Sequence, residues 1–223
     1  QLGRLFDALE RQGRFDDTLI LFTSDHGDYL GDHWLGEKEL FHDASARVPF
    51  IVYDPDPAAD AARGTVSTRL VEAIDVVPTC LEAVGIARPN HVLEGRSLLP
   101  LIRGAPAGNW RETVFSEFDY SFREARSTLG RAVNGCRTFM ARGERWKYIQ
   151  YEGFRPQLFD LRDDPHELVD LGDDPGRAAA RAEMAERMFA WLRGLTIRQT
   201  TPDEIATQWV DRAERGGIRI GQW

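Results

Sequence analysis

The chain has 223 residues, of which 42% are hydrophobic, and its formal net charge at pH 7 is −8. This composition is typical of a globular protein, and no apolar run of about 18 residues predicts a membrane span. The negative charge argues against a general nucleic-acid-binding protein, because phosphate contacts require clustered lysine and arginine side chains. Neither Cys80 nor Cys136 has the spacing of a metal-binding motif. We expect them to be reduced thiols of a cytoplasmic protein, with a single disulfide as the alternative.

Residues 1–15 predict an amphipathic helix, because apolar side chains recur on one face at helical spacing: Leu2, Leu5, Phe6 and Leu9. Such a face requires a sheet to pack on. The sequence starts with neither an initiator methionine nor a secretory signal pattern. We therefore expect this chain to be part of a longer protein.

The next stretch predicts two buried strands that enclose a polar loop. Apolar runs at 19–22 and 48–52 flank the loop, and the first run ends at Ser24-Asp25-His26-Gly27. Ligands of α/β proteins gather at the carboxyl ends of central strands, so these polar residues are candidates for a site. Gly27 would permit a sharp turn or a close approach of the backbone to a ligand.

The middle of the chain predicts a surface loop at 58–64 and a short edge strand at 65–70. Apolar positions between 70 and 84 predict a helix that is kinked or restarted near Pro78. A short apolar helix is expected at 98–102. These elements belong to the first part of an α/β protein, which we place at 1–108.

The second part, 109–223, begins with short strand patterns at 113–118, 136–141, 146–151 and 157–161. They predict a small antiparallel sheet with a packed helix. We expect this helix to start with Asp174 as the N-cap before Pro175, and to end near Leu195. Its predicted apolar face consists of Met184, Met188, Trp191 and Leu192.

The tail from 196 to 223 is polar except for a last apolar patch, which consists of Ile218, Ile220 and Trp223. We expect this patch to dock on the body of the protein or on another subunit. The second case would make the protein a homo-oligomer.

Asp25 and His26 are candidates for metal ligands, because a carboxylate beside an imidazole in a tight loop suits a divalent cation. Two ligands do not complete a site, since a metal ion that polarises a substrate usually has three or more protein ligands. The remaining ligands must come from elsewhere. An exposed polar pair that binds no metal is the alternative.

Lys38 lies 12 residues after His26, and its ammonium group is suited to an anionic oxygen of a phosphate or sulfate ester. A solvent-exposed lysine without a role is the alternative. His33 and His42 are candidates for substrate contacts, although a structural role is open for each. For Arg47 we favour a structural role as the partner of a carboxylate or of the backbone near the second strand.

Five stretches of the chain, in the same order, resemble the sulfatase family of the alkaline-phosphatase superfamily. They are the run from Thr23-Ser24-Asp25-His26-Gly27 through Leu30-Gly31-Asp32-His33 and Lys38 to Arg47-Val48-Pro49, then 74–79, 93–100, 146–148 and 158–167. The resemblance covers nearly the whole chain. It implies that 1–108 is the C-terminal part of an alkaline-phosphatase-like α/β/α catalytic domain, and that 109–223 is the C-terminal subdomain.

This resemblance implies a metal-dependent ester hydrolase. The family positions that match Asp25 and His26 bind one divalent metal ion, and the position that matches Lys38 contacts the anionic group of the substrate. His42 is a further candidate for substrate binding. Many relatives have asparagine where His26 stands; the Asp-His pair and the ending at 217–223 resemble the phosphonate monoester and phosphodiester hydrolases. An imidazole ligand favours manganese, with calcium as the alternative.

The family's nucleophile is a formylglycine made from the Cys or Ser of a C/S-x-P-x-R motif, and neither Cys80 nor Cys136 lies in such a motif. We therefore expect a C-terminal fragment that is inactive alone. The whole enzyme would hydrolyse small-molecule sulfate or phosphate/phosphonate esters, among which the sequence does not rank aryl sulfates, phosphate diesters and phosphonate monoesters. Two alternatives stay open: a non-catalytic metal-binding or oligomerising remnant, and a superfamily phosphatase or phosphodiesterase with a Ser or Thr nucleophile.

Overall fold

The computed structural model describes residues 1–105, 108–196 and 199–215, with the backbone alone for 210–214. In chain order its helices and strands are α1 (Leu2–Arg11), β1 (Ile20–Thr23), α2 (Asp43–Ala46), β2 (Phe50–Tyr53), α3 (Val76–Ala83), α4 (Leu99–Ile102), β3 (Val114–Asp119), α5 (Glu124–Thr128), β4 (Arg137–Arg142), β5 (Trp146–Tyr151), β6 (Gln157–Asp160), α6 (Ala178–Gly194) and α7 (Asp203–Arg215). Helices combine with small antiparallel sheets, so the chain is a mixed α/β protein, as predicted. The proposed boundary at residue 108 stays a prediction.

β1 and β2 pair with each other in an antiparallel, two-stranded sheet, with Ile20 opposite Tyr53 and Thr23 opposite Phe50. The prediction of two buried strands is wrong for the described residues, because Phe22 is 39% exposed and Ile51 is 60% exposed. These apolar side chains have the composition of a sheet interior, but the described part of the chain does not cover them.

Helix α1 forms where the sequence predicts an amphipathic helix, and it ends early because Gly13 follows in a left-handed conformation with a φ of 62°. Its apolar face is largely open: Leu2 is 47% exposed and Leu5 is 52% exposed. One contact connects it to the sheet, since Phe6 packs edge-on against Phe15, which in turn packs against Tyr53 of β2.

The middle of the chain departs from the sequence predictions in three places. Residues 65–70 form no strand, so that prediction is wrong. The predicted loop at 58–64 contains a 3₁₀ helix, Pro57–Ala62, which buries Ala59. The predicted helix at 70–84 begins only at Val76. A 3₁₀ turn, Ala73–Asp75, precedes it, and Glu72 and Asp75 form a capping box at the start of that turn.

The four strands after residue 108 are confirmed nearly as predicted and form one antiparallel sheet in the order β3-β4-β5-β6. Alternate side chains of each strand point to opposite faces. One face packs against α6 in a core of Phe139, Ala141, Tyr148, Leu158, Met184 and Met188. On the opposite face, Met140, Ile149 and Phe159 of the strands pack against Phe41. The sheet therefore supports both α6 and the segment that precedes β2.

The start of α6 is also confirmed, since the carboxylate of Asp174 accepts a hydrogen bond from the Gly176 amide and Pro175 opens a short 3₁₀ turn. Beyond α6 the sequence analysis missed a helix, α7, in the tail. Residues 217–223, including the predicted apolar patch of Ile218, Ile220 and Trp223, lie outside the described residues. The docking of that patch stays a prediction.

Both cysteines are free thiols in the structure, with Cys80 exposed and Cys136 buried. None of the described helices combines the length and the apolar character needed to cross a membrane.

Candidate metal and anion site

The loop after β1 carries the two candidate metal ligands beside each other. Nε2 of His26 lies 3.5 Å from Oδ2 of Asp25, and the Asp25 side chain is 84% exposed. The loop is ordered by hydrogen bonds of its own: the Ser24 hydroxyl donates to the His26 carbonyl over 2.8 Å, and the His26 amide donates to Oδ1 of Asp25 over 3.1 Å. The carboxylate and the imidazole are thus held on the same side of the turn.

The backbone determines which nitrogen of His26 is available to a ligand. Nδ1 lies 2.7 Å from the carbonyl oxygen of Gly27. Because a carbonyl only accepts hydrogen bonds, Nδ1 carries a proton, and Nε2 is the nitrogen that faces Asp25. Metal-binding histidines usually donate their second ring N–H to a carbonyl or carboxylate in this way. Donors about 2.0–2.2 Å from one ion lie roughly 3–3.6 Å apart, so the pair fits two ligands of a single cation.

The electrostatics agree with an ionised carboxylate at this position. The neighbouring His26 lowers the pKa of Asp25, and hydrogen bonds from the backbone and from Ser24 act in the same direction. Among the described residues, no group of three or more His, Cys, Asp and Glu side chains is arranged to hold a metal ion. The assignment of Asp25 and His26 as metal ligands stays a prediction.

Gly27 brings this loop against the helical turn α2. Its amide donates to the carbonyl of Ser45 over 2.7 Å, and a Cβ at Gly27 would overlap the carbonyl oxygen of Ala44. The close approach that the sequence predicted for Gly27 is thus made to the protein's own backbone. It places the Asp25-His26 pair directly beside α2.

Lys38 is connected to the same turn. The Ser45 hydroxyl donates to the Lys38 carbonyl over 2.7 Å, so Ser45 contacts both the Gly27 loop and the Lys38 segment. The Lys38 side chain is exposed. Within the part of the chain that the structure describes, its ammonium group has no ion-pair partner, which leaves it available to an anion.

The segment before Lys38 has an unusual backbone. Four non-glycine residues have a positive φ: Leu30 (48°), His33 (54°), Trp34 (56°) and Glu37 (59°). Such conformations are strained and concentrate at functional sites, where the surrounding structure enforces them. Here the Tyr29 amide donates to the Glu37 carbonyl over 2.9 Å, which closes the segment at its base.

His42 lies in the interior, with an exposed fraction of 6%. Its Nδ1 is 2.8 Å from the Tyr29 hydroxyl, and its ring stacks on His33 at 4.0 Å. Burial lowers the pKa of His42 to about 4, helped by His33 and Lys147, so the ring is neutral at pH 7. Burial also raises the pKa of Tyr29 to about 12. These contacts support a structural role, and the substrate contact of His42 stays a prediction.

Two charged residues that the sequence did not single out, Lys147 and Glu167, contact the start of α2. Lys147 of β5 is fully buried and contacts Asp43, Glu167 and the Phe41 carbonyl. Arg47 lies 3.7 Å from Asp43, which is the structural role that the sequence favoured. The available signal for Lys147 was a lysine flanked by Trp146 and Tyr148 in an apolar strand.

The chain is similar in sequence to a known family and to named proteins. The family model described as N-sulphoglucosamine sulphohydrolase, C-terminal, matches residues 31–193. The multifunctional alkaline phosphatase superfamily protein PehA of Trinickia caryophylli is 34% identical over 215 residues, which cover 93% of this chain and 41% of PehA. An arylsulfatase of Clostridium perfringens is 34% identical over 89% of this chain and 37% of its own length.

Among solved structures, the phosphonate monoester hydrolase of Agrobacterium radiobacter matches with a TM-score of 0.80 and 37% identity, over 88% of this chain and 40% of that protein. Fold and sequence thus define a protein of the sulfatase-like class. The chain belongs to the family of the N-sulphoglucosamine sulphohydrolase C-terminal model, whose relatives here are named as sulfatases and phosphonate monoester hydrolases. It spans about two fifths of the length of these relatives.

Proposed function

We propose that this chain is the C-terminal part of a metal-dependent hydrolase of sulfate or phosphate/phosphonate esters. The observation that carries the proposal is the arrangement around Ser45, which connects the Asp25-His26 pair and Lys38 to one helical turn. A cation site and an exposed ammonium group on one framework suit an anionic ester.

In this proposal Asp25 and His26 are two ligands of one divalent ion, Mn²⁺ or Ca²⁺. The bound ion would polarise an ester oxygen or activate a nucleophile. The Gly27 carbonyl orients the His26 ring by accepting the Nδ1 proton, and Lys38 neutralises charge that develops on the transferred sulfuryl or phosphoryl group. The nucleophile, which the family resemblance implies to be a formylglycine, would come from sequence outside this chain, as would the other metal ligands.

The exposed apolar surface of residues 1–108 supports the proposal that the rest of the site lies outside this chain. Phe22 and Ile51 of the two-stranded sheet are exposed, as are Leu2 and Leu5 of α1. Exposed patches of this kind mark interaction sites. Since the relatives are more than twice as long as the chain, we propose that the remainder of such a hydrolase covers this surface and completes the site.

The substrate is proposed as a small anionic ester. The phosphonate monoester hydrolase is named for a phosphorus ester and the arylsulfatase for a sulfate ester, and PehA is named as an alkaline phosphatase superfamily protein. The same cation and lysine serve both, because sulfate monoesters and phosphate diesters each present a single negative charge. The contacts that select between them are proposed to lie in the remainder of the enzyme.

The proposal is tested by hydrolysis assays on the enzyme expressed from its full gene, with 4-nitrophenyl sulfate, bis(4-nitrophenyl) phosphate and a 4-nitrophenyl phosphonate monoester. We expect chelation by EDTA to abolish turnover and Mn²⁺ or Ca²⁺ to restore it. Lys38→Ala should lower kcat by about 10²–10³, the effect of removing one preorganised charge stabiliser. Arg69→Ala, which removes another exposed cation, should leave kcat unchanged. Unchanged turnover in Lys38→Ala would contradict the assignment.

A further inference from the structure

Lys147 is a buried lysine that the proposed reaction does not use. It is the second residue of β5, and 0% of its side chain is exposed. Its Nζ is 3.0 Å from the Phe41 carbonyl oxygen, 2.5 Å from Oδ1 of Asp43 and 2.5 Å from Oε1 of Glu167. Nζ donates hydrogen bonds to the Phe41 carbonyl and to Asp43, and its contact with Oε1 of Glu167 is an ion pair without hydrogen-bond geometry.

The residues around Lys147 come from distant parts of the chain. Asp43 opens α2, and Glu167 lies in the loop after β6. The two acids are themselves connected, because the Asp43 amide donates to Oε2 of Glu167 over 2.5 Å. Glu167 has a φ of 57°, a left-handed conformation that is rare for a residue with a side chain. The backbone is thus strained at the point where it presents Glu167 to α2.

Each charge of this group has a partner of opposite sign, which a buried ion cluster requires. Lys147 faces two carboxylates, and Asp43 also has Arg142 and Arg47 at 3.7 Å. Burial alone would raise the pKa of Asp43, but Lys147 and the two arginines more than offset this and lower it. The carboxyl group of Asp43 is therefore ionised at neutral pH.

The sequence adds an independent observation about lysine. Among the 28 Lys and Arg residues, only Lys38 and Lys147 are lysines. The chain uses arginine for every other cation, and the two ammonium groups occur in the proposed anion site and in the cluster beneath it. Arginine is a larger, planar donor and does not replace a compact ammonium between three converging oxygen atoms.

A short path connects the cluster to the candidate site. Lys147 and Glu167 hold Asp43 at the first position of α2; two residues later, Ser45 contacts both the Lys38 carbonyl and the Gly27 amide. We propose that Lys147 and Glu167 are positioning residues, which fix α2 and thereby the relative placement of the Asp25-His26 pair and Lys38. Neither residue is assigned a contact with substrate.

The structural part of this proposal is tested on the chain itself by amide hydrogen exchange. Lys147→Met leaves two carboxylates without their cation and is expected to impair folding. The double variant Lys147→Met/Glu167→Gln therefore carries the test: it removes one acid together with the lysine and keeps an acceptor for the Asp43 amide. We expect the Gly27 and Asp43 amides to exchange at least about tenfold faster, while the β4 and β5 amides keep their protection.

A matched control exists in the same sheet. Arg145 bonds the buried carboxylate of Asp160 through Nε and Nη2, at 3.0 and 2.7 Å, between neighbouring strand ends. Arg145→Met/Asp160→Asn removes a comparable pair and should leave exchange at Gly27 and Asp43 unchanged. The proposal would be overturned if these two amides exchanged equally fast in Lys147→Met/Glu167→Gln and in the wild type. It would also be overturned if the Arg145→Met/Asp160→Asn control accelerated their exchange as much as Lys147→Met/Glu167→Gln does. Lys147→Arg should accelerate exchange at Gly27 and Asp43 as the double variant Lys147→Met/Glu167→Gln does. Wild-type exchange in Lys147→Arg would contradict the role of a compact ammonium group.

The functional part of this proposal rests on the metal site proposed above. Titration with Mn²⁺, followed by electron paramagnetic resonance, distinguishes failure of that metal site from failure of the positioning role. In the wild-type enzyme expressed from its full gene we expect Mn²⁺ binding that is lost in Asp25→Asn. We expect it to be weakened at least about fivefold in Lys147→Met/Glu167→Gln but not in the Arg145→Met/Asp160→Asn control. Absence of Asp25-dependent binding would count against the proposed function and leave the exchange result standing. Unweakened binding in the Lys147 variant would overturn the positioning role.

Discussion

At the scale of single residues, Gly27 shows how closely the site loop and α2 approach each other. Its amide donates to Ser45, and its missing side chain is what allows the Ala44 carbonyl to lie against it. An α-carbon substituent has no space there. The glycine of the Asp-His-Gly motif is therefore a packing requirement of this site as well as a turn residue.

The first prediction concerns this contact. Gly27→Ala should lower the free energy of unfolding by about 1–3 kcal/mol, because the added methyl group must displace α2. Chemical denaturation measures the change. Gly36→Ala is the control within the same segment, since nothing lies within 4 Å of a Cβ there. A Gly27→Ala variant as stable as Gly36→Ala would show that α2 does not pack as described.

The second prediction concerns His42 and pH. The pKa of this ring is about 4 in the folded protein and 6.5 in its ordinary state, so between these values the unfolded chain binds the extra proton. Stability from the neutral ring is therefore fully present above about pH 6.5 and is lost as the pH falls toward 4. The loss is on the order of 3 kcal/mol.

Unfolding free energies measured between pH 7 and 4.5 should show this decline in the wild type. His42→Asn keeps a hydrogen-bonding group near Tyr29 but does not titrate, and it should show a much flatter profile. The same slope in both proteins would mean that another group causes the pH dependence.

At the scale of secondary structure elements, the sheet of β3 to β6 with α6 was readable from the sequence. Its strands alternate regularly between two buried faces, and α6 has both an N-cap and an apolar face.

The third prediction concerns the packing of α6 on this sheet. Met188 is 3% exposed and its neighbour Phe189 is 58% exposed. Met188→Ala should destabilise the protein by about 2–5 kcal/mol, whereas Phe189→Ala should change little. Thermal unfolding compares them, and equal effects would contradict the orientation of α6.

Other elements were not readable, each for a physical reason. The apolar residues near 65–70 have strand propensity but no neighbouring strand to pair with among the described residues. The capping box of Glu72 and Asp75 overrides the apolar pattern that suggested an earlier helix start. Helix α7 is polar and begins after Pro202, so its apolar spacing was too weak to separate it from a loop.

At the scale of the whole molecule, the candidate site combines what sequence predicts with what only the fold can show. Asp25, His26 and Lys38 lie within one short stretch, so their residue types and the family motif identify them. Lys147 and Glu167 are more than 100 residues away from Asp43 in the sequence, and no local pattern connects them. The C-terminal sheet contacts Phe41 and Asp43 of the first part, and these contacts connect the two predicted parts of the chain.

The central claim is that this chain belongs to a larger sulfatase-type hydrolase whose nucleophile lies outside residues 1–223. The most direct measurement is the intact mass of the protein purified from its native source, together with peptide sequencing of any segment that precedes Gln1. We predict a mass well above 25.3 kDa and a C/S-x-P-x-R peptide whose Cys or Ser has become formylglycine. A mass of 25.3 kDa with no preceding segment would contradict the claim for this polypeptide.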